Sequence, residues 1–245
     1  MSTPAIIRLR QTTSTMDALH ELAEEGAPAG TAVVAEEQGS GRGSRGRAWA
    51  SPRGGLWVSV LARPASAGLG LVSLRAGLAA AECLDAYVGG PQLWLKWPND
   101  LMLGERKAGG ILCEARWQGV TLAWVVIGLG LNVANEPGAQ LAPLATHLAS
   151  LHPGLRPAEL AGPVIAALRE VDAAAGPLTD DELLRFSSRD WLRGRTLTAP
   201  TAGVADGLVH DGSLRVRGAD GSTTSVRAGT LVLAATSATD LHSCS

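Results

Sequence analysis

Only two lysines, Lys96 and Lys107, occur in this 245-residue chain, and the other 19 of its 21 basic residues (21 − 2) are arginine. The two lysines lie eleven positions apart (107 − 96) in a region rich in glycine. A lysine ammonium is a compact charge on a flexible stem, which the planar fork of arginine does not replace. We therefore expect chemistry that requires a lysine, such as the neutralisation of an anion, in this region.

A glycine-rich run with the sequence GSGRGSRGR occupies residues 39–47, where Arg42, Arg45 and Arg47 are interleaved with glycine. Backbone amides and guanidinium groups in such a loop can converge on a phosphate or a carboxylate. The residue order is not that of a Walker loop, and an RNA-binding arginine–glycine segment is the alternative interpretation. The short run between an apolar strand and Trp49 favours an ordered anion-binding loop.

The motif KWPND at residues 96–100 places polar groups beside a strand break. Pro98 lacks an amide hydrogen and fixes one backbone angle, so a regular strand is expected to be interrupted there. The break would turn Asn99 and Asp100 out of the ladder, towards a ligand, a metal or an amine. An ordinary Asn–Asp turn is the alternative.

Two further motifs carry glycine pairs: RKAGGILCE at 106–114 and GLGLN at 128–132. Gly109 and Gly110 permit close approach of a ligand beside Lys107, although a simple β-bulge would use the same residues. GLGLN lacks a complete dinucleotide-binding pattern and ends a strand without opening a helix.

The composition excludes several classes of function. The formal net charge of −2 argues against a general polyanion binder. The three widely spaced cysteines, Cys83, Cys113 and Cys244, predict neither a disulfide framework nor a zinc site, and indicate a reducing compartment. The longest apolar run, around residues 122–131, is too short to span a bilayer. We expect a cytoplasmic protein without nucleic-acid or membrane partners.

The hydrophobic pattern predicts helices at 15–25, 69–88, 157–175 and 180–192, and strands at 31–36, 56–62, 93–97, 101–103, 110–117 and 120–133. Ser14 and Asp17 resemble a capping box, and the 13 residues before that helix leave no room for a helix-turn-helix. After residue 193, turn signals at 206–207, 211–212 and 220–221 indicate hairpins. The sequence thus predicts a main domain at 1–192 and a small β-barrel at 193–245.

Taken together, Ser14-Thr15, Gln38 with the glycine loop, KWPND, RKAGGILCE and GLGLN resemble the biotin protein ligase family in order and approximate spacing over about residues 9–150. The resemblance implies an α+β fold with a mixed, largely antiparallel sheet flanked by helices, as in class II synthetases, and a C-terminal SH3-like β-barrel. It also implies activation of biotin by ATP to biotinyl-5′-AMP, then transfer of biotin to a lysine of a biotin carboxyl carrier domain. A lipoate or octanoate ligase is the nearest alternative.

The resemblance also implies roles for individual residues. The catalytic groups would be Lys107, Arg42 and Asp100. Biotin would contact Ser14, Thr15, Met16, Gln38, Arg42, Gly43, Ser44, Lys107, Gly109 and Gly110. ATP or the adenylate would contact Arg45, Arg47, Trp49, Lys107 and Asn132. Asn99 and Asp100 would position the acceptor lysine. Mg²⁺ would arrive with the ATP phosphates, with Asn132 as a candidate protein ligand, and no tightly bound prosthetic group is implied. Formation of a homodimer is left open.

Ser44 departs from the family pattern, because many bacterial members have arginine at this position of the loop. We expect either that Arg45 takes over the missing contact or that the adenylate is held less firmly.

Overall fold

The computed structural model describes residues 3–63, 69–137, 143–171 and 176–234. By its internal contacts the chain divides into two compact units, Met1–Pro177 and Leu178–Ser245. Among the described residues, no helix is both long enough and apolar enough to cross a membrane.

The first unit is built on a seven-stranded sheet. Its strands are β1 (Ile6–Thr12), β2 (Ala32–Gln38), β3 (Leu56–Ala62), β4 (Leu93–Lys96), β5 (Asp100–Leu103), β6 (Arg106–Gln118) and β7 (Thr121–Leu131). Their spatial order is β1-β2-β3-β7-β6-β5-β4, and only β1 and β2 pair in parallel. The predicted mixed, largely antiparallel sheet is confirmed.

Helices α1 (Thr15–Glu24), α2 (Leu69–Val88) and α3 (Pro157–Glu170) belong to this unit. Met16 of α1 lies against Gly128 of β7, and Gly77 of α2 lies near Ile111 of β6. Ile111 pairs with Leu129, so Ile111 and Gly128 point to opposite faces of the sheet. Helices therefore cover both faces, and α1 shares its face with the cleft described below.

The start of α1 differs in detail from the predicted capping box. The Ser14 hydroxyl accepts the Met16 amide at 3.2 Å, which satisfies one of the unpaired amides of the first turn. The Asp17 carboxylate pairs instead with Arg42. The capping-box prediction was wrong because a long-range ion pair outcompetes the local contact.

The second unit contains α4 (Asp180–Ser187) and the strands β8 (Thr196–Ala199), β9 (Gly203–Leu208), β10 (Leu214–Arg217), β11 (Thr223–Val226) and β12 (Val232–Leu233). They form an antiparallel sheet in the order β11-β10-β9-β8-β12. In the described part of this sheet β11 and β12 are its two edges, so the closed barrel stays a prediction. Residues 235–245, including Cys244, lie outside the described residues.

Two details of the second unit differ from the predicted pattern. Helix α4 ends at Ser187, and the following turn uses the Asp190 carboxylate to accept the Leu192 amide at 2.9 Å. Asp206 and Gly207 lie inside β9 and form no turn, because Asp206 pairs with Arg215 of the neighbouring β10. The predicted helix at 157–175 ends at Glu170, and its residues 172–175 lie outside the described range.

Candidate active site

A cleft opens on the α1 face of the first unit, and segments distant in sequence line it together. Its walls are formed by Ser14, Thr15, Met16, Gln38, Arg42, Gly43, Ser44, Trp49, Val58, Asn99, Lys107, Gly110, Ile111, Leu112, Gly128, Leu129 and Gly130. Of the predicted site residues, the cleft wall does not include Asp100, Gly109, Arg45, Arg47 and Asn132.

The floor of the cleft contains Gly128 and Gly130, which the sequence interpretation did not assign to the site. A Cβ on Gly130 would lie 2.8 Å from Trp49 Nε1, and a Cβ on Gly128 would lie 3.0 Å from Met16 Sδ. Residues two apart on a strand share a face, so the two glycines of GLGLN leave one stripe of β7 without side chains. That spacing was the sequence signal that could have identified them.

One wall is a closed hydrogen-bond network around Gln38. Its Oε1 accepts the Thr15 amide at 2.8 Å and the Thr15 hydroxyl at 3.1 Å, and its Nε2 donates to Ser51 Oγ at 2.8 Å. The Thr15 hydroxyl also contacts Ser59 Oγ at 2.8 Å. Thr15 and Gln38 therefore hold each other in place at the start of α1 and the end of β2.

The glycine loop folds back on itself as a narrow hairpin. The Trp49 amide donates to Gly41 O at 2.8 Å and the Gly43 amide donates to Arg47 O at 2.7 Å. A Cβ on Gly41 would collide with Ser51 Oγ and Trp49 O, so this position requires glycine. The segment is thus a hydrogen-bonded hairpin, which agrees with the predicted ordered loop.

Two predicted members of the loop are absent from the cleft wall. The exposed Arg47 guanidinium donates to Ser44 O and Ser44 Oγ at 3.3 and 3.1 Å. Arg45 is exposed and has φ +61°. Ser44 lines the cleft but Arg45 does not, which gives no support to the expectation that Arg45 takes over the missing arginine contact.

Arg42 is clamped between two carboxylates. Its Nη1 donates to Asp17 Oδ2 at 2.8 Å and its Nη2 contacts Asp17 Oδ1 at 2.7 Å. Its Nε and Nη2 donate to Glu114 Oε1 and Oε2 at 3.2 and 3.3 Å. Hydrogen bonding to Asp17, and next to Glu114, raises the pKa of the Arg42 guanidinium above its ordinary value. These carboxylates already neutralise the charge that the sequence interpretation assigned to an anionic substrate.

Glu114 is held in its ionised form by the same cluster. The hydrogen bond from His20, and next the one from Arg42, lower the pKa of Glu114 to about 2. A lowered carboxyl pKa contributes stability that is present above the unfolded value of about 4.3 and is lost as the pH falls towards 2.

We expect Glu114→Gln to lower the free energy of unfolding at pH 7 by about 2 kcal/mol, because it removes hydrogen bonds to a charged group. The difference from the wild type should shrink below about pH 4.5 and vanish near pH 2. Urea unfolding across this pH range measures it. Glu24→Gln on the exposed side of α1 is the control and should change stability by less than about 0.5 kcal/mol. A pH-independent difference would contradict the assignment.

Lys107 reaches the cleft beside an acidic partner and an aromatic ring. Its Nζ lies 2.5 Å from Asp100 Oδ1 and 5.0 Å from the centre of the Trp49 ring. Asn99 donates from Nδ2 to Ile111 O at 2.6 Å and its own carbonyl accepts the Ile111 amide. Residues 97–99 form the turn between β4 and β5, so the predicted interruption at Pro98 is confirmed. The prediction that Asp100 leaves the ladder was wrong, because the tight turn ends at Asn99 and Asp100 begins β5 in register with Lys96 and Gly110.

Asn132 lies outside the cleft wall and makes contacts within the fold. It is only 5% exposed, its Nδ2 donates to Thr146 O at 3.0 Å and its Oδ1 accepts from Asn135 Nδ2 at 3.0 Å. Those contacts attach the segment around Thr146 to the end of β7. One lone pair of Oδ1 is not used by these contacts, so the role of Asn132 at Mg²⁺ stays a prediction. The parts of the chain that the structure describes contain no cluster of three acidic, His or Cys side chains suited to a metal.

Gly109 is likewise a packing position. A Cβ there would lie 2.8 Å from Gly130 O and 2.9 Å from Leu131 Cδ1. The absence of a side chain therefore permits close pairing of β6 and β7, whereas Gly110 borders the cleft beside the Lys107 side chain.

Comparison with known proteins gives a consistent result. The biotin/lipoate A/B protein ligase family matches residues 8–132. The biotin–[acetyl-CoA-carboxylase] ligase of Paracoccus denitrificans is 32% identical over 203 residues, covering 77% of this chain and 85% of that protein. The bifunctional ligase/repressor BirA of Bacillus subtilis is 38% identical over 127 residues, 51% of this chain, and the match spans 39% of that relative's length.

A solved structure agrees over nearly the whole chain. The biotin protein ligase from Aquifex aeolicus, in complex with biotin and ATP, superposes with a TM-score of 0.79 at 26% identity. The superposition covers 95% of this chain and 99% of that one.

Proposed function

Because this chain belongs to the biotin/lipoate A/B protein ligase family, we propose that it activates biotin with ATP and transfers the biotinyl group to a lysine of a biotin carboxyl carrier domain. The observation that carries the proposal is the single cleft in which the Thr15–Gln38 wall, the glycine loop, Trp49 and Lys107 meet. Similarity to a ligase solved with biotin and ATP favours biotin over lipoate as the acid.

The first step forms the adenylate. One carboxylate oxygen of biotin attacks the α-phosphorus of ATP, the bond from phosphorus to the pyrophosphate oxygen breaks, and its electrons leave with pyrophosphate. Both reactants are anionic, so a cation at their meeting point lowers the barrier. Lys107 supplies that charge from within the cleft, and Mg²⁺ enters as the MgATP substrate complex. Arg42 does not supply the charge, because Asp17 and Glu114 already pair with it.

The second step forms the amide bond. The amine of the carrier lysine attacks the acyl carbon, the bond to the phosphate oxygen breaks, and AMP leaves with the electron pair. A lysine with a pKa of about 10.4 is almost entirely protonated near neutral pH. Asp100 attracts this ammonium and receives its proton, while Asn99 fixes the turn that carries Asp100.

Asp100 acts in the second step, and its contact with Lys107 links that role to the first step. In the free protein the Asp100 carboxylate pairs with Lys107 Nζ at 2.5 Å. A phosphate in the cleft competes for the ammonium, and the carboxylate then becomes available to a second cation. The adenylate thereby prepares the acceptor position for the carrier lysine.

Trp49 provides the surface for the adenylate. Its Nε1–H is buried with no partner among the described residues, and an indole nitrogen only donates. An acceptor atom of the bound nucleotide or acid can satisfy this donor.

We expect Gly130→Ala to raise the KM for ATP about tenfold, the effect of about 1.4 kcal/mol of binding energy. The new Cβ would lie 2.8 Å from Trp49 Nε1, so the indole would have to move. Steady-state pyrophosphate exchange measures the change, and Gly70→Ala, with nothing within 4 Å of the added Cβ, is the control. An unchanged KM in a folded Gly130→Ala protein would remove Trp49 from the nucleotide site.

Three further parts of the proposal concern the fold of the second unit, the source of the carrier domain and the cellular location. We assign residues 193–245 to an SH3-like barrel, supported by the antiparallel order of β8 to β12. The name of the Paracoccus relative supports acetyl-CoA carboxylase as the source of the carrier domain. The free thiols of Cys83 and Cys113 are compatible with the cytoplasm, where ATP is present.

The decisive experiment is exchange of labelled pyrophosphate into ATP, measured with biotin, with lipoate and with neither acid. We expect exchange with biotin alone. Exchange with lipoate alone would identify the alternative ligase. Salt-sensitive retention of RNA without any exchange would instead support an RNA-binding function for the glycine loop.

A further inference from the structure

We infer that His20 is a positioning residue of the biotin site, which acts through Glu114 and Arg42 on the shape of the glycine loop. The inference rests on the proposed function for its substrate, but its geometric content stands on contacts of the free protein. His20 does not line the cleft. It lies between Trp124 and Glu114 in a chain of hydrogen bonds that leads from Trp124 to Arg42 in the cleft wall.

The hydrogen-bond partners of His20 fix its tautomer. Trp124 Nε1 lies 3.0 Å from His20 Nδ1, and because the indole nitrogen can only donate, Nδ1 must accept. The proton of the neutral ring is then on Nε2, which donates to Glu114 Oε2 at 3.2 Å. His20 is 4% exposed and Trp124 is 6% exposed, so water does not readily replace either contact.

Glu114 passes this orientation on to Arg42. Its two carboxylate oxygens accept from Arg42 Nε and Nη2, while Asp17 contacts Nη1 and Nη2 from the opposite side. Four of the five guanidinium N–H groups are thereby used. With His20 neutral, one cation and two carboxylates leave a local charge of −1. The cluster does not attract an anionic acid, and its contribution to the site is geometric.

Arg42 in turn sets the course of the glycine loop. Its backbone pairs with Ala48 across the hairpin, and the next amide, that of Gly43, donates to Arg47 O. Gly43 and Ser44 follow directly and line the cleft. Fixing the Arg42 side chain from α1 and β6 therefore fixes where these two residues present their backbone to the substrate.

If His20 only filled space, a substitution that kept its volume would leave the site unchanged. His20→Leu keeps a side chain of similar bulk but removes both hydrogen bonds. His20→Gln keeps one donor for Glu114 and one acceptor for Trp124. The pair separates loss of volume from loss of the hydrogen-bond chain.

The first measurement is steady-state pyrophosphate exchange with the full-length variants. We expect His20→Leu to raise the KM for biotin about tenfold, while kcat and the KM for ATP stay within about twofold. His20→Gln should return the KM for biotin to within about threefold of the wild type. His152→Leu is the matched control, because His152 bonds to Val88 O on α2 and should leave all three parameters unchanged.

The second measurement needs no substrate. Amide hydrogen exchange of peptides covering residues 39–49 should be faster in His20→Leu than in the wild type, and close to wild type in His20→Gln. Thermal unfolding identifies any variant whose whole fold is weakened. A stably folded His20→Leu protein with unchanged loop exchange would overturn the inference, as would equal behaviour of the Leu and Gln variants.

The two measurements also separate this inference from the proposed function. A wild-type protein without biotin-dependent exchange of pyrophosphate would contradict the function. Amide hydrogen exchange of residues 39–49 would still decide whether His20 positions this loop.

Discussion

Replacing Lys107 by methionine is expected to lower kcat for biotin-dependent pyrophosphate exchange by about 100- to 1000-fold, the usual cost of removing one preorganised donor from a developing charge. Methionine keeps an unbranched chain that can still cover the Trp49 ring but lacks the ammonium. With Arg42 neutralised by Asp17 and Glu114, Lys107 carries the positive charge that the proposed mechanism requires. The KM for biotin should change much less than kcat.

The chain supplies its own matched control for this substitution, since Lys96 is its one other lysine. Lys96 lies on β4 and is absent from the cleft wall. We expect Lys96→Met to keep kcat within about threefold of the wild type. A Lys107→Met protein that retained more than a tenth of the wild-type kcat would show that the charge is supplied elsewhere.

Replacing Asp100 by asparagine should produce the second largest effect, and it should fall on the other half of the reaction. In single-turnover transfer from preformed biotinyl-adenylate to a carrier domain, we expect a rate about 100-fold below the wild type, within the range for loss of a general base. Pyrophosphate exchange should fall by less than about fivefold. Asparagine preserves size, so the comparison isolates the negative charge.

The contact between Asp100 and Lys107 makes the ratio of the two rates informative. If both half-reactions fell equally, Asp100 would act mainly by holding Lys107 at 2.5 Å. If neither fell, Asp100 would have no part in either step. Asp100→Glu keeps the charge but shifts its position, and should recover part of the transfer rate if the carboxylate is the base.

Local pattern predicted much of the secondary structure. The bounds of β3 and α2 match the predicted 56–62 and 69–88. β3 is an apolar run interrupted only by Ser59, and α2 is a long segment rich in alanine and leucine. Helix ends that depend on a single side-chain contact were less predictable. Helix α4 stops at Ser187, and the apolar residues beyond it are used in a turn around Asp190.

Most of the predicted site residues line the cleft, but five of them do not, and Gly128 and Gly130 were missed. The individual contacts were less predictable. Arg42 has the expected type for an anion site, yet its two carboxylate partners come from α1 and β6, which lie 25 and 72 positions away. Asn132 ends an expected motif, yet its amide is used by Asn135 and Thr146. Such long-range pairing depends on the tertiary fold, and no spacing rule within one motif reports it.

The peptide groups of residue 107 are held on both sides by one neighbouring segment. The Lys107 amide donates to Leu144 O at 2.9 Å, and the Lys107 carbonyl accepts the Thr146 amide at 2.9 Å. Ordering a backbone residue costs about 1–2 kcal/mol, and ordering a long side chain costs about as much again. The backbone of Lys107 is already ordered by these two hydrogen bonds in the folded chain, so the backbone cost does not arise again on binding. In the proposed mechanism, an arriving phosphate would then have only the torsions of the Lys107 side chain to order, so its capture would depend on the choice of a rotamer.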